Sequence, residues 1–246
     1  MIKLYCRDCL EVLPMLNVNS IDAVIADPPY GTTVCKWDSV IPLIPMWKQL
    51  MRVANDTAPI VLFAAQPFTS ALVMSNVQYF KYCWYWKKSL KTNFLNAKKQ
   101  PLRQVNDIAV FYRRQATYNP QGLVPGSIDG GNQGTPTVNQ WDSSFYQQEM
   151  TGYPTDILDF PYSNKDSLHP TQKPVALMEY LIRTYTNPGD TILDFAMGSG
   201  TTGVACIKTG RNFIGIELGT NYFKIAEQRI EETQTQPGLD GLQIGV

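Results

Sequence analysis

A glycine-rich turn between an apolar run and a helical segment constrains the fold of this 246-residue chain more than any other feature. The run Thr191–Leu193 has the composition of a buried strand, and Thr201–Thr209 has that of a helix. The turn that joins them is Asp194-Phe195-Ala196-Met197-Gly198-Ser199-Gly200-Thr201-Thr202. Glycines let the backbone approach a ligand and let the helix pack closely on the strand. The order therefore predicts a β-α-β unit with a nucleotide-type turn.

An acidic residue follows the next apolar run. Phe213–Ile216 reads as a strand that ends at Glu217, about twenty residues after the glycine turn. A carboxylate in that place can accept hydrogen bonds from ribose hydroxyls. The chain has no Gly-Lys-Ser/Thr sequence there, so a triphosphate-binding P-loop is not supported. The spacing predicts a Rossmann-like site for an adenosine-containing cofactor.

A second motif, Asp27-Pro28-Pro29-Tyr30, directly follows the strand-like run Ile21–Ala26. An acidic side chain at the carboxyl end of a parallel strand points into the crevice where open α/β sheets bind ligands. Two prolines cannot continue the ladder, so nearby carbonyl groups stay free to accept hydrogen bonds. With the ring of Tyr30, these groups favour a planar ligand that carries an amino group, such as a nucleobase. An ordinary strand-to-loop turn has the same composition.

The remaining pattern divides the chain into two ordered parts and an insertion. Further strands are predicted at Pro59–Ala65, Tyr82–Trp86 and Ile108–Tyr112, with helices at Pro45–Val53, Pro174–Thr186 and from an Asn221 cap to Glu232. Glycine and proline interrupt residues 115–168, yet this stretch has too many aromatic residues for a simple linker. We therefore expect residues 1–114 and 169–233 to form the halves of one domain, with 115–168 inserted and 234–246 as a tail.

Basic residues are concentrated although the formal net charge is zero. Nine of the 21 lysines and arginines lie between Lys81 and Arg114. Aromatic residues alternate with them, namely Tyr82, Trp84, Tyr85, Trp86 and Phe94. Basic groups neutralise phosphates and aromatic rings offer stacking faces, so the stretch favours a nucleic-acid surface as much as a solvated charged face.

Composition argues against a disulfide-rich, zinc-binding, membrane or secreted protein. Five scattered cysteines favour a reducing compartment over a disulfide framework, and Cys6 and Cys9 lack the further ligands of a zinc site. We therefore expect no metal. No apolar run is long enough for a membrane span, and the first residues do not have the pattern of a signal peptide.

Together these motifs resemble those of S-adenosylmethionine-dependent amino-group DNA methyltransferases. Asp27–Tyr30 precedes Asp194–Thr202 and Glu217, which is the motif order of the β class. Two more segments, Arg7–Leu13 and His169–Pro174, are similar to other motifs of that class. The resemblance covers residues 4–233 except for the insertion. One departure is that the family usually has Phe two residues before the first glycine, where this chain has Ala196 and carries Phe195 one position earlier.

The resemblance implies a Rossmann-like α/β fold, a mostly parallel sheet with helices on both faces. It implies methyl transfer from S-adenosylmethionine to N6 of a flipped adenine in a specific double-stranded DNA sequence. The catalytic residues would be Asp27, Pro28, Pro29 and Tyr30. The cofactor would be bound by Asp8, Cys9, Asp27, Lys173, Asp194, Phe195, Gly198, Ser199, Gly200, Thr201, Thr202 and Glu217, with Asp8 and Cys9 on the adenine and Lys173 on the methionine carboxylate.

The same reading assigns DNA contacts to Lys87, Lys88, Lys91, Lys98, Lys99 and Arg103, and target recognition to the amide-rich insertion. It leaves N4 of cytosine open as the acceptor, although relatives that act on cytosine more often have Ser in place of Asp27. A DNA-binding protein that has lost catalysis is a further alternative. A homodimer and a cognate restriction endonuclease also stay open, and we expect a cytoplasmic protein of a prokaryote or phage.

Overall fold

The computed structural model describes residues 1–32, 38–128, 148–161 and 172–235. Contacts divide the chain into two compact units. The larger unit combines Met1–Asn119 with Asp156–Val246, and the smaller unit is Pro120–Thr155. The larger unit contains an eight-stranded sheet, and the smaller one contains a two-stranded antiparallel sheet.

The strands are numbered in chain order. They are β1 Ile2–Cys6, β2 Ala23–Ala26, β3 Ile60–Ala64, β4 Phe80–Thr92, β5 Arg103–Phe111, β6 Val124–Ile128, β7 Gln148–Thr151, β8 Ile157–Asp159, β9 Thr191–Asp194 and β10 Asn212–Glu217. The large sheet has the order β1-β10-β9-β2-β3-β5-β4-β8, and β6 pairs with β7. Every neighbouring pair in the large sheet is parallel except those made by β5, which is antiparallel to β3 and β4.

Six α-helices accompany the strands in the described ranges. They are α1 Cys9–Val12, α2 Leu43–Val53, α3 Phe68–Ser75, α4 Val175–Tyr185, α5 Thr201–Lys208 and α6 Thr220–Thr235. Because successive side chains of a strand point to opposite faces, β2 contributes to two cores. Val24 and Ala26 pack with α1, α2 and α3, whereas Ala23 and Ile25 pack with α4, α5 and α6. This is the predicted Rossmann-like sheet with helices on both faces.

The strand directions place several loops together. β2, β3, β9 and β10 run parallel, so their carboxyl ends meet at one edge of the sheet. β4 also ends there, because β5 is antiparallel to both of its neighbours. Asp27 follows β2, Asp194 ends β9 and Glu217 ends β10. This carboxyl edge is where ligands bind in open α/β sheets.

The start of the last helix and the extent of the insertion differ from the sequence prediction. The last helix begins at Thr220, so Asn221 lies inside it and does not cap it; the amide of Phe223 donates to the carbonyl of Gly219 at 2.9 Å. β8 lies within the predicted insertion 115–168 but pairs with β4 in the large sheet. The compact smaller unit is correspondingly shorter than that insertion. Across the described ranges, no helix has both the length and the apolar character that a membrane span requires.

Candidate active site

A cavity of about 350 Å³ lies at the carboxyl edge and joins the two motifs. Residues of both motifs, Asp27–Tyr30 and Asp194–Thr202, form its walls. The predicted residues that line it are Asp27, Pro28, Pro29, Tyr30, Lys88, Lys173, Asp194, Gly198, Ser199, Thr201, Thr202 and Glu217. The strand order explains this proximity, because β2 and β9 are adjacent and parallel, so the turns that follow them are neighbours.

Asp27 is held through both of its carboxylate oxygens. The hydroxyl of Tyr30 donates to Oδ1 at 2.5 Å, and Nζ of Lys173 donates to Oδ2. The Lys173 side chain is only 9% exposed, and its ammonium lies 5.0 Å from the centre of the Phe63 ring. The family resemblance implies that Lys173 pairs with the methionine carboxylate of the cofactor; in the structure its ammonium donates to the carboxylate of Asp27.

The ring of Tyr30 stacks on Phe68, with centroids 5.4 Å apart and planes 23° apart. Burial raises the pKa of its hydroxyl well above the ordinary value, and the neighbouring Asp27 raises it further. The side chain of Asn106 opposes this rise of the pKa. Tyr30 is therefore a neutral donor with one ring face supported by Phe68.

Asp38 fixes the backbone that follows the proline pair. Its Oδ1 accepts from the amides of Tyr30 and Gly31 at 2.8 and 2.9 Å, and its Oδ2 accepts from the amide of Thr32 at 2.9 Å. The Asp38 side chain is buried and lines the cavity. Charge-assisted bonds of this kind are among the stronger ones in proteins. Sequence reasoning missed Asp38, because no motif marks it.

Asp194 is a buried acid at the cofactor end of the cavity, 3% exposed. The hydroxyl of Thr202 donates to its Oδ2 at 2.5 Å, and the amide of Ala196 donates to its Oδ1 at 3.1 Å. Burial raises the pKa of this carboxyl to about 7 despite the two donors, and the charges of Asp27 and Glu217 add to the rise. Asp194 thus both holds the turn and carries a charge that is sensitive to pH.

Glu217 organises the opposite side of the glycine turn. Its Oε2 accepts from the amide of Gly198 at 3.0 Å, and its Oε1 accepts from the amide of Gly219 at 2.7 Å. Burial raises the pKa of Glu217, and these backbone amides oppose the rise. Each oxygen retains a lone pair, so the carboxylate can still accept hydrogen bonds from a vicinal diol.

Helix α6 clamps the glycine turn from outside. The guanidinium of Arg229 donates to the carbonyl and hydroxyl of Ser199 and to the hydroxyl of Thr201. Gly200 has φ +77°, and a Cβ on it would lie 2.8 Å from the Cβ of Ala226. Only glycine satisfies both the backbone angle and this close approach. Arg229 is a second residue that sequence reasoning missed, since it looks like any polar residue of a surface helix.

The end of β4 forms the wall beyond Tyr30. Trp86, Lys88, Leu90 and Thr92 line the cavity at intervals of two, as expected for one face of a strand. Burial lowers the pKa of Lys88, and the charges of Lys173 and Arg103 contribute. Lys87 belongs to the other face and pairs with Asp159 at 2.8 Å. Among the proposed DNA contacts, Lys88 is thus the one that reaches the cavity.

The structure does not bring every predicted cofactor residue to the cavity. Phe195 is 2% exposed and packs in the core with Leu193, while Ala196 lines the cavity instead. Asp8 accepts from the amide of Leu10 at 2.8 Å and caps α1, and Cys9 is buried. Neither Asp8 nor Cys9 lines the cavity, although the end of β1 is in register with Glu217.

Only part of the basic and aromatic stretch between Lys81 and Arg114 is exposed to solvent. Trp84 and Trp86 are 3% and 2% exposed and belong to the core, so the prediction that they offer stacking faces to a nucleic acid is wrong. Their indole groups donate to the hydroxyl of Tyr185 and the carbonyl of Phe160. Lys81 and Arg113 lie near the start of β4 and the end of β5, at the opposite edge from the cavity.

Some predicted residues fall outside the described ranges. These are His169, Pro170 and Thr171 of the motif before α4, and the amides Asn132, Gln133, Asn139, Gln140 and Gln147 of the insertion. Asn119, at the start of the predicted insertion, donates instead to the carbonyls of Arg183 and Thr186 at 3.1 and 3.3 Å. Within the described residues, no group of three His, Cys, Asp or Glu side chains is placed to hold a metal ion.

The cavity has the chemistry that an adenosine-containing sulfonium cofactor requires. The carboxylates of Asp27, Asp38, Asp194 and Glu217 line it. A Cβ on Gly198 would meet no atom within 4 Å, so the backbone is open to a ligand there. A Rossmann-like sheet with this turn and a neighbouring Asp-Pro-Pro-Tyr motif defines an S-adenosylmethionine-dependent methyltransferase. Residues 21–228 match the DNA methylase family of N6 and N4 methyltransferases, and the chain belongs to that family.

Individual relatives agree with this assignment. The Type II methyltransferase M.HpaI of Haemophilus parainfluenzae is 28% identical over 93% of this chain and 74% of its own length. The DNA adenine methyltransferase YhdJ of Escherichia coli K12 is 27% identical over 91% of this chain and 81% of its own. Among solved structures, the M1.HpyAVI–SAM complex is 28% identical with a TM-score of 0.64, covering 93% of this chain and all of that one. The cytosine-N4-specific PvuII methyltransferase shares the fold, with a TM-score of 0.67 at 18% identity over 95% of this chain and 90% of that one.

Proposed function

We propose that this DNA methyltransferase transfers the methyl group of S-adenosylmethionine to N6 of adenine in a specific duplex sequence. The observation that carries the proposal is the single cavity that joins Asp27 and Tyr30 to Asp194 and Glu217. The acidic first residue of the Asp27 motif favours adenine, and the name of the relative YhdJ agrees with that choice. N4 of cytosine remains the alternative acceptor.

In this proposal the target base enters the cavity and stacks on the ring of Tyr30. Asp27 and the carbonyl of Pro28 accept hydrogen bonds from the exocyclic amino group and turn its lone pair toward the methyl carbon. The bound cofactor would supply the methyl group: the new N–C bond would form as the C–S bond breaks with its electron pair going to sulfur, and the amino nitrogen would then lose a proton to water. Because adenine's amine is a weak nucleophile, the protein acts mainly by positioning and by electrostatics.

The other residues have supporting roles. Asp194 approaches the amino-acid part of the cofactor and Glu217 accepts from the ribose hydroxyls, while the turn from Gly198 to Thr202 surrounds the methionine end. Lys88, Lys91, Lys98, Lys99 and Arg103 neutralise phosphates beside the cavity. The insertion contributes sequence recognition through its amides.

The test is to incubate the protein with labelled cofactor and unmethylated mixed-sequence duplex DNA, then digest to nucleosides. We expect label in N6-methyladenine. Label in N4-methylcytosine would show that cytosine, not adenine, is the acceptor base. The absence of label with retained DNA binding would identify a binding protein without catalysis. Sequencing the product with modification-sensitive detection gives the recognition sequence.

Two aspartate variants provide the residue-level test. Asp27→Ala should reduce transfer by at least about a thousandfold, since it removes an acceptor at the reacting nitrogen, while cofactor affinity stays within about threefold. The matched control is Asp56→Ala, because Asp56 also forms an ion pair, with Arg113 at 3.6 Å, but at the opposite edge of the sheet. Equal activity of the two variants would refute the role of Asp27.

A further inference from the structure

The turn between β4 and β5 carries exposed apolar side chains beside the cavity. Leu95 is 101% exposed and Phe94 is 62% exposed. Single exposed apolar residues are ordinary on protein surfaces, whereas adjacent ones at the tip of a hairpin suggest a contact with a partner.

The tip is ordered by its own hydrogen bonds. The backbone amides of Asn96 and Ala97 donate to the carbonyls of Asn93 and Phe94, both at 3.1 Å. The amides of Lys99 and Gln100 donate to the carbonyl of Asn96 at 2.8 and 3.0 Å. The hydroxyl of Thr92 donates to the carbonyl of Arg103 at 3.2 Å and closes the base of the turn. Phe94 and Leu95 are thus displayed on a compact helical turn and do not depend on a partner to fix its backbone.

The tip continues the wall of the cavity. Leu90 and Thr92 line the cavity, and Leu95 follows Thr92 by three residues. Three residues span at most about 11 Å, so Leu95 lies within that distance of the cavity wall. A nucleotide that enters the cavity from a duplex therefore passes close to the tip.

The charge around the tip fits a polyanion. Lys91, Lys98, Lys99 and Arg103 are all exposed, and residues 88–106 contain no Asp or Glu. The chain as a whole has a formal net charge of zero, so the hairpin is more basic than the chain average. An apolar tip framed by cations matches a duplex, which presents phosphates outside and stacked bases inside.

We propose that Phe94 and Leu95 form a wedge that enters the duplex at the target base pair and fills the space left by the flipped base. This inference rests on the proposed function, because it requires a base that leaves the stack. Apolar side chains inserted at a base step replace stacking that the duplex loses, and the neighbouring lysines hold the backbone while they do so. The wedge would therefore stabilise the extruded state without touching the reacting atoms.

The test compares two duplexes that carry the sequence methylated by the wild-type protein. In one, the target base is paired; in the other, it faces an abasic site and is already unpaired. Under single-turnover conditions, Phe94→Ala/Leu95→Ala should lose about tenfold to a hundredfold on the paired duplex and less than about threefold on the unpaired one. Met74→Ala is the matched control, since Met74 is 71% exposed at the end of α3, and it should match the wild type on both.

Failure of the wedge and failure of the proposed methyl transfer give different results in this experiment. No methyl transfer by the wild type to any DNA would remove the proposed function. Wild-type transfer with an undiminished double variant, or an equal loss on both duplexes, would overturn the wedge alone. Cofactor affinity of the double variant should equal that of the wild type, and Leu95→Gln, which keeps the size of the side chain but makes it polar, should show the same substrate-dependent loss.

Discussion

The carboxylate of Asp38 accepts a hydrogen bond from the backbone amide of Tyr30 at 2.8 Å, although the two residues lie eight positions apart. The next two amides donate to the same carboxylate. The chain that leaves the proline pair is therefore wrapped around one buried anion. The position of Tyr30, and through its hydroxyl that of Asp27, depends on this contact.

Replacement of Asp38 should consequently impair the chemical step more than cofactor binding. We expect Asp38→Ala to lower the single-turnover rate by about tenfold to a hundredfold, because bonds to a charged group contribute about 1.5–3 kcal/mol each. Asp38→Asn retains one acceptor atom, so its single-turnover rate should lie between those of the wild type and Asp38→Ala. Asp190→Ala is a suitable control, since Asp190 accepts from the amide of Asn187 at 2.8 Å in a turn before β9. A rise in the cofactor Kd comparable to the loss in rate would contradict this assignment.

The contact between Lys173 and Asp27 yields a second prediction. If Lys173 positions Asp27, Lys173→Met should slow methyl transfer by about tenfold or more, because truncating one partner of a buried pair leaves the other charge unpaired. Lys173→Arg should recover part of the rate, and the cofactor Kd should change by less than about threefold. Isothermal titration and single-turnover kinetics provide the two readouts, with the exposed Lys208→Met as control. A Kd raised as much as the rate is lowered would restore the sequence-based assignment to the methionine carboxylate.

Short apolar runs predicted β2 and β9 correctly, because both faces of these strands are buried. Val24 and Ile25, for example, point to different cores. The same rule explains the misplaced aromatic residues. Tyr82, Trp84 and Trp86 alternate with Lys81, Tyr85 and Lys87, so an alternating strand with two tryptophans inside accounts for the pattern without a stacking surface. Phe195 likewise shares the face of Leu193, which directs it to the core.

Residues that act across long sequence separations could not be predicted. Arg229 reaches Ser199 from thirty positions away, and its own helix gives no sign of this contact. Lys173 lies 146 positions from Asp27, and a motif resemblance identified the residue but not this contact. Such contacts depend on which strands are adjacent, and one sequence does not specify that order.

The buried acid Asp194 predicts a pH-dependent affinity for the cofactor. Burial raises the pKa of its carboxyl to about 7, so it loses its charge as the pH falls through that value. The ionised form attracts the cationic groups of the cofactor, and binding therefore favours deprotonation. We expect the Kd to rise by more than about tenfold between about pH 7.5 and pH 5.5.

Calorimetric titration across that range checks the expectation. Asp194→Asn should bind more weakly at pH 7.5 and show a much flatter profile, since it cannot titrate. The pKa of Glu217 is also raised by burial, so Glu217→Gln in the same series shows how much of the slope belongs to each carboxyl. A wild-type Kd that is independent of pH would mean that the charge of Asp194 does not act on the cofactor.

Gly200 and Gly210 have similar left-handed backbone conformations but different surroundings. Gly200 has φ +77° and a Cβ there would lie 2.8 Å from the Cβ of Ala226; Gly210 has φ +73° and open space around it. Alanine at either position should destabilise the protein by about 1–2 kcal/mol through the left-handed conformation. At Gly200 the collision with α6 should add about 1–3 kcal/mol. Because a displaced α6 also withdraws Arg229 from Ser199, only Gly200→Ala should weaken cofactor binding. Urea unfolding measures the loss of stability, and calorimetry measures the loss of cofactor affinity. Equal effects of alanine at the two positions would show that α6 does not constrain the turn.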